Sequence, residues 1–212
     1  MEHIENNKVT VGGKVVGGFT YSHEMYGEKF YLFDILLRRL SGAYDLIPVM
    51  VSDRLMDVEK DYKDYNILVT GQFRSYNKHE EVSTKLILSV FAREITFLEE
   101  IDDKQNVNSI SLDGYICNEP KYRETPLGRE IADVLIAVNR PYGKSDYIPC
   151  ICWGRNARFV GQLDIGTHVR ISGRIQSREY QKKLENGDVE TRTTYEVSVS
   201  KVDLVEEEEE KN

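Results

Sequence analysis

The stretch IPCICWGRNARFV (148–160) gathers the residues best suited to chemistry: two of the chain's three cysteines and its only tryptophan. A Cys-x-Cys pair raises the question of a metal. In an extended strand residues i and i+2 point the same way, so both thiols lie on one face. Structural zinc sites favour Cys-x2–4-Cys with a second such pair or with spaced histidines. Here the other ligand types are Cys117 and the scattered His3, His23, His79 and His168. Cys150 and Cys152 therefore read as core thiols, since free cysteine is commonly a small buried hydrophobe. The glycine-rich GGKVVGG (12–18) lacks the GxxxxGK[ST] pattern and leads into no helix, so bend and turn glycines account for it. No Ser/His/Asp or Cys/His set stands out, and no pair of acids separates from the solvated background. These residues point to no enzyme, no metal and no cofactor.

Binding chemistry is better supplied. With Cys150 and Cys152 turned inward, Ile151 and Trp153 face outward, and Tyr147 shares their face. Tyr142 sits in the turn before that strand, and Tyr180 follows GRIQSRE at the end of the next one. Interleaved with these rings are Arg123, Arg129, Arg140, Lys144, Arg155, Arg174, Arg178, Lys182 and Lys183. Rings that stack bases, with cations that follow phosphates, are what a groove for single-stranded nucleic acid requires. The competing reading is a solvated strand face carrying ordinary tyrosines and arginines.

Charge has to be counted by segment. The 212 residues carry a net charge of −8, which argues against an anionic partner at first sight. Residues 1–105 hold 13 basic and 18 acidic residues (net −5), residues 106–205 hold 14 and 13 (net +1), and 206–212, EEEEEKN, have net −4. Nine of the fourteen arginines also fall in 106–205, so an anionic ligand belongs there. The acidic tail reads as a solubilising segment, or one that recruits partners or competes for the groove. No apolar run approaches the roughly 18 residues of a membrane span, and MEHIENNKVTV is no secretory signal. An odd cysteine count argues for reduced thiols. The expected location is the cytoplasm, with the nucleoid if DNA is the ligand.

The elements that must position these residues are written twice. Residues 9–54 laid over 110–155 at a constant offset of 101 give ten identities, among them Gly13/Gly114, Arg39/Arg140, Asp45/Asp146, Pro48/Pro149 and Arg54/Arg155. Chance would give about three. After one inserted residue, ILVTGQFRS (67–75) aligns with VRISGRIQS (169–177). The period is too long for a solenoid unit and implies two copies of one domain, 1–105 and 106–205, followed by the tail 206–212. Alternation predicts strands at 9–19, 29–39, 45–52, 65–76 and 83–95, and again at 108–119, 130–140, 147–153, 168–178 and 193–205. A helix is predicted between the third and fourth strands of each copy, in RLMDVEKDY and RNARFVGQL. The expected class is all-β: two tandem five-stranded OB-fold barrels, each with a short helix between strands 3 and 4. KKLENGDVET, with its Asn186-Gly187 turn pair, predicts a longer arm in the second copy than NKHEEV gives the first.

The second copy resembles the core of bacterial single-stranded DNA-binding proteins over about residues 108–205. The motifs are NSISLDGYICNEPKYRETPLGREIADVLIAVNR, IPCICWGRNARFV, GTHVRISGRIQSREY and TTYEVSVSKVDLV. The resemblance implies base-stacking aromatics at Tyr147, Trp153 and Tyr180, with a further one near Tyr142. It implies single-stranded DNA as ligand, in replication, recombination or repair, and a homodimer that brings four barrels together. Members of that family recruit repair and replication proteins through an acidic tip ending in Pro-Phe; EEEEEKN contains no such pair. The first copy is less typical, with Leu46 and Ser52 where the second has Tyr147 and Trp153. It binds weakly through Tyr21, Tyr44 and Tyr76, or serves assembly. An RNA-binding or primosome-accessory OB protein, and an adaptor that binds proteins rather than nucleic acid, are the alternatives.

Overall fold

A computed structural model describes residues 5–39, 41–79, 84–101, 107–183 and 187–206; at 77–79, 84, 85 and 142 it describes the backbone alone. The first copy forms β1 (Asn7–Met25), β2 (Glu28–Arg38), β3 (Tyr44–Ser52), β4 (Asn66–His79) and β5 (Thr84–Leu98). Their order is β2-β3-β5-β4-β1, and β1 also pairs with β2, which closes a five-stranded barrel. The second copy forms β6 (Asn108–Ile116), β7 (Lys121–Glu124), β8 (Glu130–Asn139), β9 (Ser145–Trp153), α1 (Arg155–Val160), β10 (His168–Lys183) and β11 (Val189–Leu204). Its order is β6-β10-β11-β9-β8, closed by β6 against β8, with β7 added on the outer edge of β8. In both barrels the third and fifth strands pair parallel, Val49 opposite Val90 and Cys150 opposite Val197, whereas β1–β2, β1–β4, β2–β3, β4–β5, β6–β8, β6–β10, β7–β8 and β8–β9 pair antiparallel. This is the OB topology, present twice.

Period-2 alternation of β-branched and aliphatic residues produces each core. Val9, Val11, Ile35, Ile47, Val49, Ile67, Val69 and Phe73 fill the first barrel, and Leu112, Ile136, Ile148, Cys152, Val169 and Ile171 are fully buried in the second copy. Glycines sit where strands of one barrel approach too closely for a side chain. A Cβ on Gly13 would stand 2.8 Å from the Leu36 carbonyl oxygen, and its counterpart on Gly114 2.5 Å from that of Ala137. Gly71 and Gly173 repeat the device, at 2.0 Å from the Phe91 oxygen and 2.3 Å from the Ser198 oxygen. Gly17 has φ +72° at a bulge between the shifted registers of β1 and β2, so the GGKVVGG run combines a close approach at Gly13 with a bulge at Gly17.

Two expectations are corrected. The predicted helix in RLMDVEKDY is absent; among the described residues turns alone join β3 to β4. The Asp57 and Asp61 carboxylates accept from the backbone N–H groups of Glu59 and Lys63, turn bonds that compete with helix formation. Tyr62 packs on Phe19, Phe97 and Tyr65, and the 64–65 backbone is bonded to Val15, which pins the segment in an irregular path. The second-copy helix forms as expected, with Ala157 and Val160 buried. The strands also run longer than predicted. β1 reaches Met25 because Tyr26 and Gly27, both at positive φ, make a tight turn to β2, and β11 starts at Val189 through Thr191, Thr193 and Thr194. The strands of the second arm are the longer ones, as expected: β10 and β11 have 16 residues each against 14 and 15 for β4 and β5. Asn186 and most of the acidic tail (207–212) lie outside the described residues.

The chain divides into two compact units whose limits cut across the repeat. One comprises 1–7, 110–174 and 197–212; the other comprises 8–109 with 175–196, the distal part of β10 and β11. In the latter, Ser177 donates from its backbone N–H and its hydroxyl to Asp45 Oδ1, at 2.8 and 2.6 Å. Arg39 bonds Asp45 through Nε at 2.6 Å and spends a further donor on the Ser177 carbonyl. Asp45 is 1% exposed. Burial opposes its ionisation, but the bonds from Arg39 and Ser177 outweigh it and hold the carboxyl below its ordinary range. The repeated pair Arg140–Asp146 is likewise bidentate, with the carboxylate buried.

Candidate nucleic-acid interface

The outward face of β9 carries Tyr147 and Trp153, 43% and 39% exposed. Six residues of strand separate them by about 20 Å. The Trp153 indole N–H donates to the Ser198 hydroxyl at 3.3 Å, which fixes the ring against β11 while leaving part of its surface open. The parity argument holds for Cys150 and Cys152, both buried. Burial, with a smaller contribution from the Asp133 charge, pushes the Cys152 thiol up to about 12, so it carries no thiolate at neutral pH. Among the described residues no cluster of three or more His, Cys, Asp or Glu could hold a metal ion.

Ile151 corrects the sequence reading. It has the outward parity of Trp153 yet is 5% exposed. Its neighbours across the strands are Asp133 and Ser198, so it lies mid-sheet, paired on both sides. Only the ends of β9 show rings.

The remaining expected residues divide between the two units. Beside Tyr147 and Trp153, the first-named unit holds Arg123, Arg129, Arg140, Lys144, Arg155 and Arg174; the other holds Tyr180, Arg178, Lys182 and Lys183. Tyr142 lies in the 3-10 turn Pro141–Gly143, and its side chain is outside the described residues. Tyr180 and Lys182 line a recess of about 810 Å³ with Leu32, Pro48 and Tyr195.

Three of the nine cations are committed to carboxylates. Arg123 pairs with Asp133 at 2.9 Å, Arg178 with the buried Glu196 at 3.3 Å, and Arg140 with Asp146. Arg129, Arg155 and Arg174 are exposed and, among the described residues, have no carboxylate partner, as holds for Lys144, Lys182 and Lys183. Gly154, at φ +52°, turns the chain sharply from β9 into α1, which sets Arg155 two residues from Trp153.

Sequence reasoning missed two features. Tyr122 is exposed on β7, its hydroxyl bonded to Glu130 at 2.7 Å. In the first barrel Arg74 stacks over Phe91 at 3.9 Å, beside Arg54 and Arg93. The signal for the second was available: Ser52 stands where the offset of 101 puts Trp153, which leaves a space beside cations.

Comparison with known proteins points to one family. The model of the single-strand binding protein family matches residues 107–205. A single-stranded DNA-binding protein of Halalkalibacterium halodurans is 35% identical over 81 residues, covering 35% of this chain and 48% of the relative. Single-stranded DNA-binding protein B of Bacillus subtilis is 32% identical over 83 residues, covering 36% of this chain and 74% of the relative. The chain spans about half the length of most of the curated relatives it matches. The crystal structure of the wild-type single-stranded DNA binding protein from Thermus aquaticus superposes with a TM-score of 0.73, covering 97% of this chain and 96% of that one. At 18% identity that likeness shows a shared fold. The motifs of 108–205, the two OB barrels and a relative matched over most of its length converge on one assignment: the chain belongs to the single-strand binding protein family.

Proposed function

We propose that this protein binds single-stranded DNA without catalysis, stacking bases on Trp153 and Tyr147 and holding phosphates with Arg129, Lys144, Arg155 and Arg174. The observation that carries the reading is the pair of partly exposed rings on one strand face, flanked by exposed cations, in the more basic half of an otherwise acidic chain. Each stacked base contributes about 1–3 kcal/mol, so a few platforms give tight binding. Tyr180, Lys182 and Lys183, on the distal part of β10, offer the strand a further ring and further cations, and Arg178 adds to them once its bond to Glu196 gives way. Arg123 and Arg140 act chiefly by holding Asp133 and Asp146. Such a protein coats strands exposed in replication, recombination or repair. It acts as a homodimer in the cytoplasm, associated with the nucleoid, and the acidic tail meets partner proteins.

Titrating Trp153 fluorescence with oligo-dT, oligo-rU and duplex DNA tests this directly. Quenching that saturates with oligo-dT and is much weaker with duplex at matched salt is the expected result. Equal affinity for duplex would remove the stacking mechanism. A preference for oligo-rU would favour an RNA-binding role.

A further inference from the structure

We propose that the first barrel carries a nucleotide subsite of its own, built from arginines around a phenylalanine instead of from outward rings on a strand. The inference rests on the single-stranded DNA reading and adds a second place of contact with different chemistry. A recess of about 480 Å³ opens beside Ser52, the position that Trp153 occupies in the second copy. Serine fills little of the volume an indole would take, so the surface here is concave where the second barrel projects a ring. Phe91 forms the floor, backed by Phe30 at a ring separation of 5.7 Å. The Arg74 guanidinium lies over Phe91 at 3.9 Å and is held there by Gln72 Oε1 at 2.8 Å; the Arg93 guanidinium stands 5.4 Å from the same ring. Arg54, counterpart of Arg155, closes the rim, 3.7 Å from the Glu28 carboxylate.

The arrangement fits one unit of a single strand. A base is a flat π-system, and a planar guanidinium held over a ring offers a platform on which it can stack. Arg54 and Arg93 are exposed and present forked donors that match a phosphodiester. The Arg54–Glu28 contact, at the long end for an ion pair and solvent-exposed, yields readily to a phosphate. An acidic peptide could satisfy the arginines but makes no use of the stacked floor. Nucleotide is therefore the better match.

The test uses the full chain and fluorescein-labelled oligo-dT of increasing length. R54A/R93A removes two exposed guanidinium groups, and circular dichroism with an unchanged urea midpoint verifies its fold. On the longest oligomers its affinity should fall, and the slope of log K against log[salt] should flatten by about 1.4, two phosphates at about 0.7 each. F91L keeps the apolar volume while removing the ring, and should cost about five- to 150-fold. A 5-iodo-deoxyuridine oligomer should photocrosslink to the segment containing Phe91 in wild type. If R54A/R93A and F91L bind as wild type while W153A loses affinity, the subsite is overturned and the second-copy surface stands. If wild type shows no preference for single strands, the underlying reading fails instead. If R54A/R93A keeps its DNA affinity but loses binding to a labelled VEEEEEKN peptide, the recess is a peptide site and the proposal is wrong.

Discussion

Ile151 and Trp153 are two residues apart on one strand and end in different surroundings, one covered and one open. The difference makes Trp153→Ala a clean probe. We expect a loss of about 1–3 kcal/mol in DNA affinity, five- to 150-fold, with little change in folding. Ile151→Ala should do the reverse, lowering the urea midpoint through a cavity while leaving affinity near wild type. Fluorescence or anisotropy titration beside urea denaturation separates the two. The buried pair in the first copy gives a second residue-level expectation. Arg39→Ala leaves the Asp45 carboxylate buried without its guanidinium partner, whereas Asp45→Ala leaves an arginine with a third of its side chain in solvent. The first should therefore destabilise more, by about 3–5 kcal/mol. Because the folded pKa of Asp45 lies below its unfolded value near 3.9, its contribution is present above that value and is lost as pH falls through the folded pKa. Stability measured between about pH 5 and pH 2 should show a shallower acid loss in Asp45→Asn.

At the level of elements, the repeat of close-approach glycines carries the barrel closure. Gly71→Ala would place a methyl 2.0 Å from the Phe91 carbonyl oxygen, in a backbone bulge between Thr70 and Gly71. Backbone cannot yield as a flexible side chain can, so we expect a large fall in thermal midpoint, and Gly173→Ala should behave alike. Gly18, whose Cβ would meet nothing within 4 Å, is the matched comparison and should tolerate alanine far better. Thermal melts followed by circular dichroism decide this. The strands themselves were legible because a half-buried strand writes its face into every second residue. The missing helix in 54–62 was not. Leu55, Met56 and Val58 look helical in isolation, but the turn bonds of Asp57 and Asp61 and the ring packing of Tyr62 fix that segment otherwise.

For the whole molecule, charge and assembly set the conditions of binding. A chain of net charge −8 presents its cations locally, so affinity should depend strongly on salt. Removing 206–212 takes away five glutamates that compete with phosphate. We expect the truncated protein to bind oligo-dT more tightly at low salt and equally at high salt, since screening acts over about 10 Å at 0.1 M. Light scattering at micromolar concentration should give twice 24.5 kDa for the proposed homodimer. The sequence by itself determined the duplication, the strand order, the inward parity of Cys150 and Cys152, and the rings at Tyr147 and Trp153, because each rests on local periodicity or on the offset of 101. Tertiary structure alone decided that Ile151 is covered, and that Arg123, Arg140 and Arg178 are taken by carboxylates. It also decided that 175–196 pack with the first copy, and that the Arg74 guanidinium lies over Phe91 beside Ser52. Those outcomes depend on which residue comes to lie opposite another after strands far apart in sequence have paired. No local period records that.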